Sequence, residues 1–294
     1  MGYIHIPNLY KDQTILLFRE VFALEKIHGT SAHVSWNGEQ VHFFAGGVDN
    51  AKFVNLFDCW GLPNKFKELG KPTITVYGEA YGGKCQGMAK VYGKDLKFVA
   101  FEVKIGDLWL NVPDAEGVAR SFGFDFVHYS QVSTDIETLG AHRDKVSIQA
   151  KKNGMGDNHP REGIVLRPLI ELTKNNGERI IAKHKSEAYR ETRTPRPITS
   201  DRLQVLAEGD SIAREWVTPM RLNHVLQSFS PGVGIEFTGD IIGAMVEDIL
   251  REANQEIIDS KEARKSIGKR TATLFKEHLQ HILLGAQGLL QQQG

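Results

Sequence analysis

The pair Asn37-Gly38 separates two short runs in which apolar and polar residues alternate, residues 32–36 and 39–44. Asn-Gly between alternating runs is the strongest short-range signal for a β-hairpin, because both residues tolerate the positive φ that the tightest turns need. The sequence therefore predicts a hairpin closed by a two-residue turn. This part of the chain is expected to build an antiparallel sheet.

Other segments of the first two-thirds of the chain also have strand or helix signals. Runs rich in β-branched or aromatic residues, bounded by glycine or charge, predict further strands at residues 74–77, 97–103, 163–166 and, after the turn Asn175-Asn176-Gly177, 179–183. Apolar residues at helical spacing (Phe53, Val54, Phe57 and Trp60) predict a helix within residues 51–69. The pattern Thr134-x-x-Glu137 predicts a capping box.

The composition changes at residues 190–197, where two prolines stand in a basic, polar run typical of a linker. Helical patterns follow at residues 201–208, 211–229, 240–260 and 269–284, and the apolar stripe of Ile241, Met245 and Ile249 is expected to be core. We therefore predict an α+β fold. Residues 1–194 would form a domain of antiparallel sheets flanked by helices, and residues 195–294 a small all-α domain.

Bulk properties limit the function classes only loosely. The 294 residues, 41% of them apolar, can bury a core of ordinary size. The formal net charge is zero, with 36 basic and 36 acidic side chains, so overall charge gives no support to a nucleic-acid binder. Two cysteines are too few for a disulfide framework, and neither a signal peptide nor a membrane-spanning run is recognisable. We expect a soluble, cytoplasmic protein.

Four short segments carry candidate chemistry, and each is a weak signal alone. A lysine before His-Gly is usually a solvated strand end, and single glutamates are usually surface carboxylates. Two lysines two residues apart on a strand face the same side and repel each other unless an anion lies between them. The segments, in chain order, are Glu25-Lys26-Ile27-His28-Gly29-Thr30, Tyr77-Gly78-Glu79-Ala80-Tyr81-Gly82, Glu162-Gly163-Ile164-Val165-Leu166-Arg167-Pro168 and Ala182-Lys183-His184-Lys185.

Taken together, the four segments supply what nucleotidyl transfer requires: a nucleophile, cations that spread phosphoryl charge, and carboxylates for a metal ion. Lys26 is the candidate nucleophile. A lysine attacks only when it is neutral, and its free pKa is about 10.4. We expect a bound metal ion, Lys183 and Lys185 to lower the pKa of Lys26 into a useful range.

The order of these motifs resembles that of the covalent nucleotidyltransferase superfamily of ligases and capping enzymes, over residues from about 20 to 190. His28 stands where DNA ligases and capping enzymes usually have Asp, and this resembles the nick-sealing RNA ligases of phages and the RNA-editing ligases. The resemblance implies an ATP-dependent RNA ligase that carries AMP on Lys26, uses Mg²⁺ or Mn²⁺, and joins 5′-phosphate and 3′-hydroxyl ends of RNA. The partner would be nicked duplex RNA or an RNA-containing hybrid, or else DNA, and the enzyme would be a monomer.

The resemblance also implies individual roles. Lys26 would attack the α-phosphate, and Lys183 and Lys185 would grip it. Glu25 would lie against the adenine, Glu79 would contact the ribose, Glu162 would bind metal, and His28 would act in the later phosphoryl steps. Phe101 resembles the aromatic residue that stacks on the base, with a core position as its alternative role, and Phe98 is the second choice. In the helical domain, Arg221 and Asp248 match positions that engage the nick, with a buried salt bridge as the alternative.

Two positions depart from the family pattern. Ser31 stands where the phage enzymes usually have Asn. Those enzymes also carry an Arg on the strand after the first hairpin, but no Arg occurs here between Arg19 and Arg120. Arg grips phosphate with two parallel hydrogen bonds, which Lys cannot reproduce. Either the backbone amides of Gly46-Gly47 or the side chain of Lys52 would have to replace it.

Two other functions are open on the sequence alone. DNA ligation or RNA capping with GTP is disfavoured by His28 and by the lack of a recognisable β-barrel after residue 200. A nucleic-acid-binding protein with a degenerate ligase fold is disfavoured by the intact set Lys26, Glu79, Glu162, Lys183 and Lys185. The missing Arg favours it.

Overall fold

The structure is a computed structural model that describes residues 2–195, 198, 208–230, 232–254 and 256–290, and side chains up to residue 282. These residues divide into two compact units, one ending at Tyr189 and the other beginning at Arg190. The sequence placed the boundary five residues later, inside the Pro-containing run. Pro197 of the predicted linker lies outside the described residues. Residues 201–207, which belong to a predicted helix, lie outside them as well.

The first unit contains two antiparallel sheets, as the alternating runs predicted. The four-stranded sheet has the order β7-β1-β8-β9 and the five-stranded sheet the order β3-β2-β4-β5-β6. The strands are β1 (Glu20–Lys26), β2 (Thr30–Trp36), β3 (Val41–Ala45), β4 (Ile74–Gly82), β5 (Leu96–Ile105), β6 (Leu108–Trp109), β7 (Tyr129–Ser133), β8 (Gly163–Pro168) and β9 (Ala182–Lys185).

Helices flank the sheets of the first unit and make up the second. They are α1 (Asn50–Val54), α2 (Leu62–Glu68), α3 (Ala89–Tyr92), α4 (Val112–Ser121), α5 (Ile136–Arg143), α6 (Ile148–Lys152), α7 (Gly209–Trp216), α8 (Pro219–Leu226), α9 (Thr238–Ala253) and α10 (Lys261–Leu290). The predicted α+β class is confirmed, with its helical C-terminal part. Among the described residues, no helix has the length and apolar character needed to cross a bilayer.

The first hairpin forms, but its turn is longer than predicted. The paired strands end at Trp36 and Val41, so the loop has four residues. The side-chain oxygen of Asn37 accepts hydrogen bonds from the amides of Glu39 and Gln40 at 2.9 and 2.8 Å. Asn37 therefore stabilises the loop through its side chain rather than as a turn position with positive φ.

Two helix predictions were wrong in detail. The single helix predicted within residues 51–69 is split into α1 and α2, and Trp60, counted as part of the apolar face, is 92% exposed. The predicted capping box at Thr134 is also wrong. Asp135 caps α5 by accepting a hydrogen bond from the Thr138 amide at 2.9 Å, while the Thr134 hydroxyl donates to the Phe18 carbonyl.

Other boundaries moved because tertiary contacts compete with local pattern. The strand predicted at residues 179–183 begins only at Ala182, because the backbone of Arg179 and Ile180 pairs with Thr173 and Leu172 instead. In the second unit, the predicted helix 211–229 is interrupted at Thr218-Pro219. Thr218 caps α8 by accepting from the Arg221 amide, and proline occupies the first turn, where its missing N–H costs nothing.

A buried ionic network links the two sheets of the first unit. Glu102 on β5 accepts from Arg167 on β8 at 2.9 Å and from Arg179 at 2.6 Å, and Glu171 pairs with both arginines. The guanidinium of Arg179 lies 4.1 Å from the centre of the Trp109 ring. A buried charge is costly unless it is paired, so this network specifies how the sheets align.

The second unit has its own apolar core, to which Trp216, Ile241, Met245, Ile249 and Phe275 contribute. The stripe predicted to be core at Ile241, Met245 and Ile249 is fully buried. The 3.6-residue periodicity of α9 directly produces this buried face.

Gly163 lies in the middle of a row that crosses three strands. It pairs with Lys26 on β1 and with Lys185 on β9. A Cβ atom at this position would lie 2.2 Å from the His184 carbonyl oxygen and 2.8 Å from the Lys185 Cα. Only glycine allows β9 to approach β8 this closely, so Gly163 sets the distance between the outer residues of the row.

We predict that Gly163→Ala lowers the free energy of unfolding by about 2 kcal/mol or more, because β9 has to move away from β8. Urea denaturation measures the change. Gly117→Ala is the matched control, since it lies in α4 with no atom within 4 Å of the added methyl group. That variant should gain roughly 0.5–1 kcal/mol. Equal behaviour of the two variants would contradict the close packing at Gly163.

Candidate functional site

The segment from Lys26 to Gly29 connects the two sheets, because β1 belongs to one and β2 to the other. Gly29 is required by close packing. A Cβ atom there would lie 2.3 Å from the Ala80 carbonyl oxygen and 2.9 Å from the Glu79 Cγ. The glycine of the Lys-x-His-Gly pattern thus brings the end of β1 against β4, where Glu79 lies.

The carboxylate of Glu162 joins three of the predicted site residues. Its Oε2 atom lies 2.9 Å from Lys26 Nζ and 3.2 Å from His28 Nδ1, and its Oε1 atom lies 3.2 Å from Lys185 Nζ. Glu162 itself is 1% exposed. Lys26 and Glu162, which are 136 positions apart in sequence, are thereby in direct contact.

Although burial acts to raise the pKa of Glu162, the positive charges of Lys26 and Lys185, together with His28, hold that pKa well below its usual range. Glu162 is therefore a carboxylate across the physiological pH range. Its charge compensates the two amines, which would otherwise repel each other.

Lys183 lies two residues before Lys185 on β9, so strand alternation directs both side chains to one face of the sheet. Lys183 is 8% exposed and pairs with Val165 in the register of β8 and β9. Lys26, Lys183 and Lys185 therefore project from the same face. His184, between the two lysines, projects to the other face and contacts Arg143 at 3.2 Å.

Glu79 lies beside the Lys26–Gly29 segment and accepts a hydrogen bond from the Gly29 amide at 3.0 Å. On the other side of the same residue, the side-chain amide of Gln86 donates to the Gly29 carbonyl at 3.2 Å. Burial raises the pKa of Glu79 to about 7; Lys26 opposes this shift and Glu162 adds to it. Glu79 can thus exchange a proton near neutral pH, whereas Glu162 cannot.

Glu25 is placed on the opposite side of β1 from Lys26 and is 2% exposed. Its carboxylate accepts from the Ser147 hydroxyl at 2.5 Å and from the amides of Ile148 and Gln149 at 3.0 and 3.4 Å. These donors form the beginning of α6, where a negative charge is favourable. Glu25 therefore anchors α6 to the strand that carries Lys26, and its contact with adenine stays a prediction.

Phe101 and Phe98 lie on different faces of the five-stranded sheet. Phe101 is the extra residue at a bulge where Tyr77 pairs with Glu102 and Gly78 pairs with Ala100. Its ring lies 5.0 Å from that of Tyr3, which also contacts Tyr77, and Tyr77 shares its face with Glu79. Phe98 points away from that face and packs on Phe53, Phe57 and Phe124. Of the two candidates, Phe101 is the one on the same face as Glu79.

Sequence reasoning missed several residues that support the site. The Tyr92 hydroxyl accepts from the His28 amide at 3.3 Å, and the Tyr189 ring lies 5.0 Å from the His28 ring. Gln86 has a φ of 52°, rare for a residue with a side chain. The glycine-rich run around Gln86 signals a turn, but nothing in the sequence tells that this turn reaches Gly29.

Of the two candidates for replacing the missing Arg, the Gly46-Gly47 amides and Lys52, one amide is already used by the backbone. The Gly46 amide donates to the Ser31 carbonyl at 3.0 Å, as part of the backbone pairing next to β2. Lys52 lies on α1 with its side chain exposed. The role of either candidate in phosphate binding stays a prediction.

Arg221 and Asp248 form a buried ion pair in the second unit and are 1% and 6% exposed. Arg221 Nε also donates to the Trp216 carbonyl at 3.1 Å, and its guanidinium lies 5.1 Å from the centre of the Trp216 ring. Both side chains thus contribute to the packing of α8 on α9. Their contact with polynucleotide stays a prediction.

The comparisons with known proteins give the family. The model of the RNA ligase family matches residues 19–185, which include all four motifs. No curated protein matches the sequence.

Solved structures with a similar fold come from an RNA ligase of Naegleria gruberi. An arginine-to-alanine variant with ATP and Mn has a TM-score of 0.51 and 15% identity, and covers 64% of this chain and 57% of its own. A lysine-to-methionine variant with AMP and Mn has a TM-score of 0.50 at 15% identity, with the same coverage. The chain thus spans little more than half the length of these ligases, and at this identity the likeness concerns the fold.

We predict that Glu79→Gln changes how stability depends on pH. A raised pKa in the folded state stabilises the fold at low pH, and this contribution is lost as pH rises from 4.5 through about 7. Relative to Glu79→Gln, the wild type should therefore lose roughly 2–3 kcal/mol of unfolding free energy between pH 5 and pH 8. Denaturation at both pH values measures it. The control Glu68→Gln, at an exposed site, should leave the pH dependence unchanged. If the stability difference between wild type and Glu79→Gln is as independent of pH as that for Glu68→Gln, the raised pKa of Glu79 is ruled out.

Proposed function

The chain belongs to the RNA ligase family, and on that basis we propose that it is an ATP-dependent ligase that joins RNA ends through an AMP adduct on Lys26. The observation that carries this proposal is the Glu162 carboxylate shared by Lys26, His28 and Lys185. Three separate motifs of the sequence converge there. A surface lysine with no chemical role would not need this arrangement.

The site has the features that a nucleotide requires. Glu79 borders it, and the Oγ atom of Ser31, which pairs with Glu79 across the strands, is buried without a hydrogen-bond partner among the described residues. The same holds for the Oε1 atom of Gln86. Buried polar atoms without partners are rare in folded proteins unless a ligand or water satisfies them. A ribose offers the matching hydroxyl groups, which supports a nucleotide in contact with Ser31, Glu79 and Gln86.

A metal ion fits this site only together with phosphate. Among the described residues, no three His, Cys, Asp or Glu side chains are grouped to hold a metal by themselves. Mg²⁺ is commonly held by one or two carboxylates plus substrate phosphates. Glu162 is the residue that would hold it, and the ion would supply positive charge to the phosphate oxygens.

In the proposed first step, Lys26 Nζ attacks the α-phosphorus of ATP. A new N–P bond forms, the bond from the α-phosphorus to the bridging oxygen breaks, and pyrophosphate leaves. The attacking nitrogen loses a proton to water or to the departing pyrophosphate. Lys183 and Lys185, on the same sheet face as Lys26, are positioned to balance the charge on the transferred group.

In the next two steps the RNA becomes the substrate. A 5′-phosphate oxygen attacks the adenylyl phosphorus, so that the N–P bond breaks and Lys26 is released. A 3′-hydroxyl then attacks the activated 5′-phosphorus, AMP leaves, and a phosphodiester forms. We assign His28 to these later steps, because it touches the same Glu162 oxygen as Lys26.

Nicks in duplex RNA or in RNA-containing hybrids are the substrates we propose. We also propose that the enzyme acts as a monomer. Cys59 and Cys85 are free thiols, in keeping with the reducing cytoplasm proposed as its location.

We predict that Lys26→Ala and Lys26→Arg both abolish labelling of the protein by ATP carrying a labelled α-phosphate. Arg keeps the positive charge next to Glu162 but cannot provide a neutral amine. Lys67→Ala, at an exposed position on α2, should label normally. An adduct that persists in either Lys26 variant would exclude Lys26 as the nucleophile.

The polynucleotide substrate is tested separately by sealing assays on nicked RNA, hybrid and DNA duplexes and on single strands. We expect sealing where the nick carries a 3′-hydroxyl on RNA, with ATP preferred to GTP in the adduct step. Sealing of nicked DNA at an equal rate would favour the DNA-ligase alternative. An adduct without sealing of any substrate would refute the proposal of RNA joining while leaving Lys26 as the nucleophile.

A further inference from the structure

A group of basic side chains forms one surface of the first unit, although the chain as a whole carries no net charge. We call it the cationic patch: His128, His142, Lys145, Lys152 and the underlying Arg161. Lys145 Nζ lies 3.1 Å from the Nε2 atom of His142. His128, Lys145 and Lys152 are exposed, His142 is half-buried, and Arg161 is 3% exposed.

The backbone of the cationic patch adjoins that of the candidate site, on the side of β1 to which Glu25 rather than Lys26 points. The His128 carbonyl accepts from the amide of Glu25, the residue before Lys26, at 2.8 Å. The Lys145 carbonyl accepts from the amide of Arg161, the residue before Glu162, at 3.2 Å.

Burial and neighbouring positive charges lower the pKa of both histidines of the cationic patch, so the two imidazoles are mainly uncharged at neutral pH. Burial first, and then Arg161, Lys152 and Lys145, lower the pKa of His128, with Glu25 opposing them. Burial, and then Lys145, Arg161 and His128, lower the pKa of His142. Neighbouring acids are already paired, Asp144 with Arg143 at 2.5 Å and Asp157 with Lys151 at 3.0 Å. The surface therefore keeps a local excess of positive charge, which Lys145, Lys152 and Arg161 carry.

Lys152 also lines a cleft of about 560 Å³, which we call the aromatic cleft. Phe57, Phe98 and Phe124 form part of its wall, with their rings in edge-to-face contact 5.5–5.7 Å apart, and Lys65 and Lys97 border it. Asp58 and Asp125 line it as well. Cations beside aromatic rings are the combination with which proteins hold single-stranded nucleic acid, since phosphates contact the cations and bases stack on the rings.

We propose that the cationic patch and the aromatic cleft hold a single-stranded segment of the RNA that extends beyond the duplex containing the nick. This inference rests on the proposed function for the identity of the polymer. The exposed cations contact its phosphates, and the aromatic cleft receives bases. Because phosphate contacts carry no sequence information, binding does not depend on sequence. These cations also supply positive charge for the polynucleotide in a chain that lacks the expected Arg.

The test compares two double variants that change the net charge equally. Lys145→Glu with Lys152→Glu reverses the exposed lysines of the cationic patch. Lys67→Glu with Lys71→Glu reverses two exposed lysines elsewhere in the same unit. Fluorescence anisotropy measures the binding of a short, 5′-phosphorylated single-stranded RNA, and of the same strand in a blunt duplex, at several salt concentrations. Thermal melting shows that each variant is folded.

We expect the Lys145/Lys152 variant to bind the single strand at least about tenfold more weakly at low salt. The slope of log K against log salt should fall by about 1.4, or about 0.7 for each phosphate that the variant no longer neutralises. The Lys67/Lys71 variant should bind as the wild type does. Equal weakening by both variants, equal weakening for the duplex, or no RNA binding by the wild type would overturn the inference. Adduct labelling of the wild type with ATP alone tests the proposed function separately.

Discussion

The carboxylate of Glu162 contacts side chains from three parts of the chain: from β1, from the segment that follows β1, and from β9. It is almost fully buried and in contact with Lys26, His28 and Lys185. A buried carboxylate is stable only when it is paired, and two partly buried amines this close together need an anion between them. Each member of the cluster therefore requires the others, and the surrounding backbone is arranged to bring them into contact.

Two close approaches of the backbone make that contact possible. Gly163 lets β9 lie against β8, and Gly29 lets the end of β1 lie against β4. Behind them, the network of Glu102, Arg167 and Arg179 fixes one sheet relative to the other. Glu25 fixes α6 to β1, because its carboxylate accepts hydrogen bonds from the first turn of the helix. The site thus depends on interactions that contain no reacting atom.

Glu79 and Glu162 show how two buried glutamates in one site acquire different properties. Glu162 has three basic partners and stays ionised, while Glu79 is governed by burial and titrates near pH 7. Both residues were found from short motifs in the sequence. Their different protonation could not be found there, because it depends on which charges the fold places around each carboxylate.

The sequence by itself determined the antiparallel strands, the buried stripe of α9 and the set of residues around Glu162, because periodicity and residue type are local properties of the chain. It misjudged the hairpin loop, the cap of α5 and the exposure of Trp60, where side-chain hydrogen bonds and packing override local preference. Only the tertiary structure decided that Glu25 anchors a helix, that Gln86 reaches Gly29, and that dispersed basic residues form the cationic patch. Such contacts join residues far apart in sequence, and their energies depend on burial and on neighbours that no local pattern specifies.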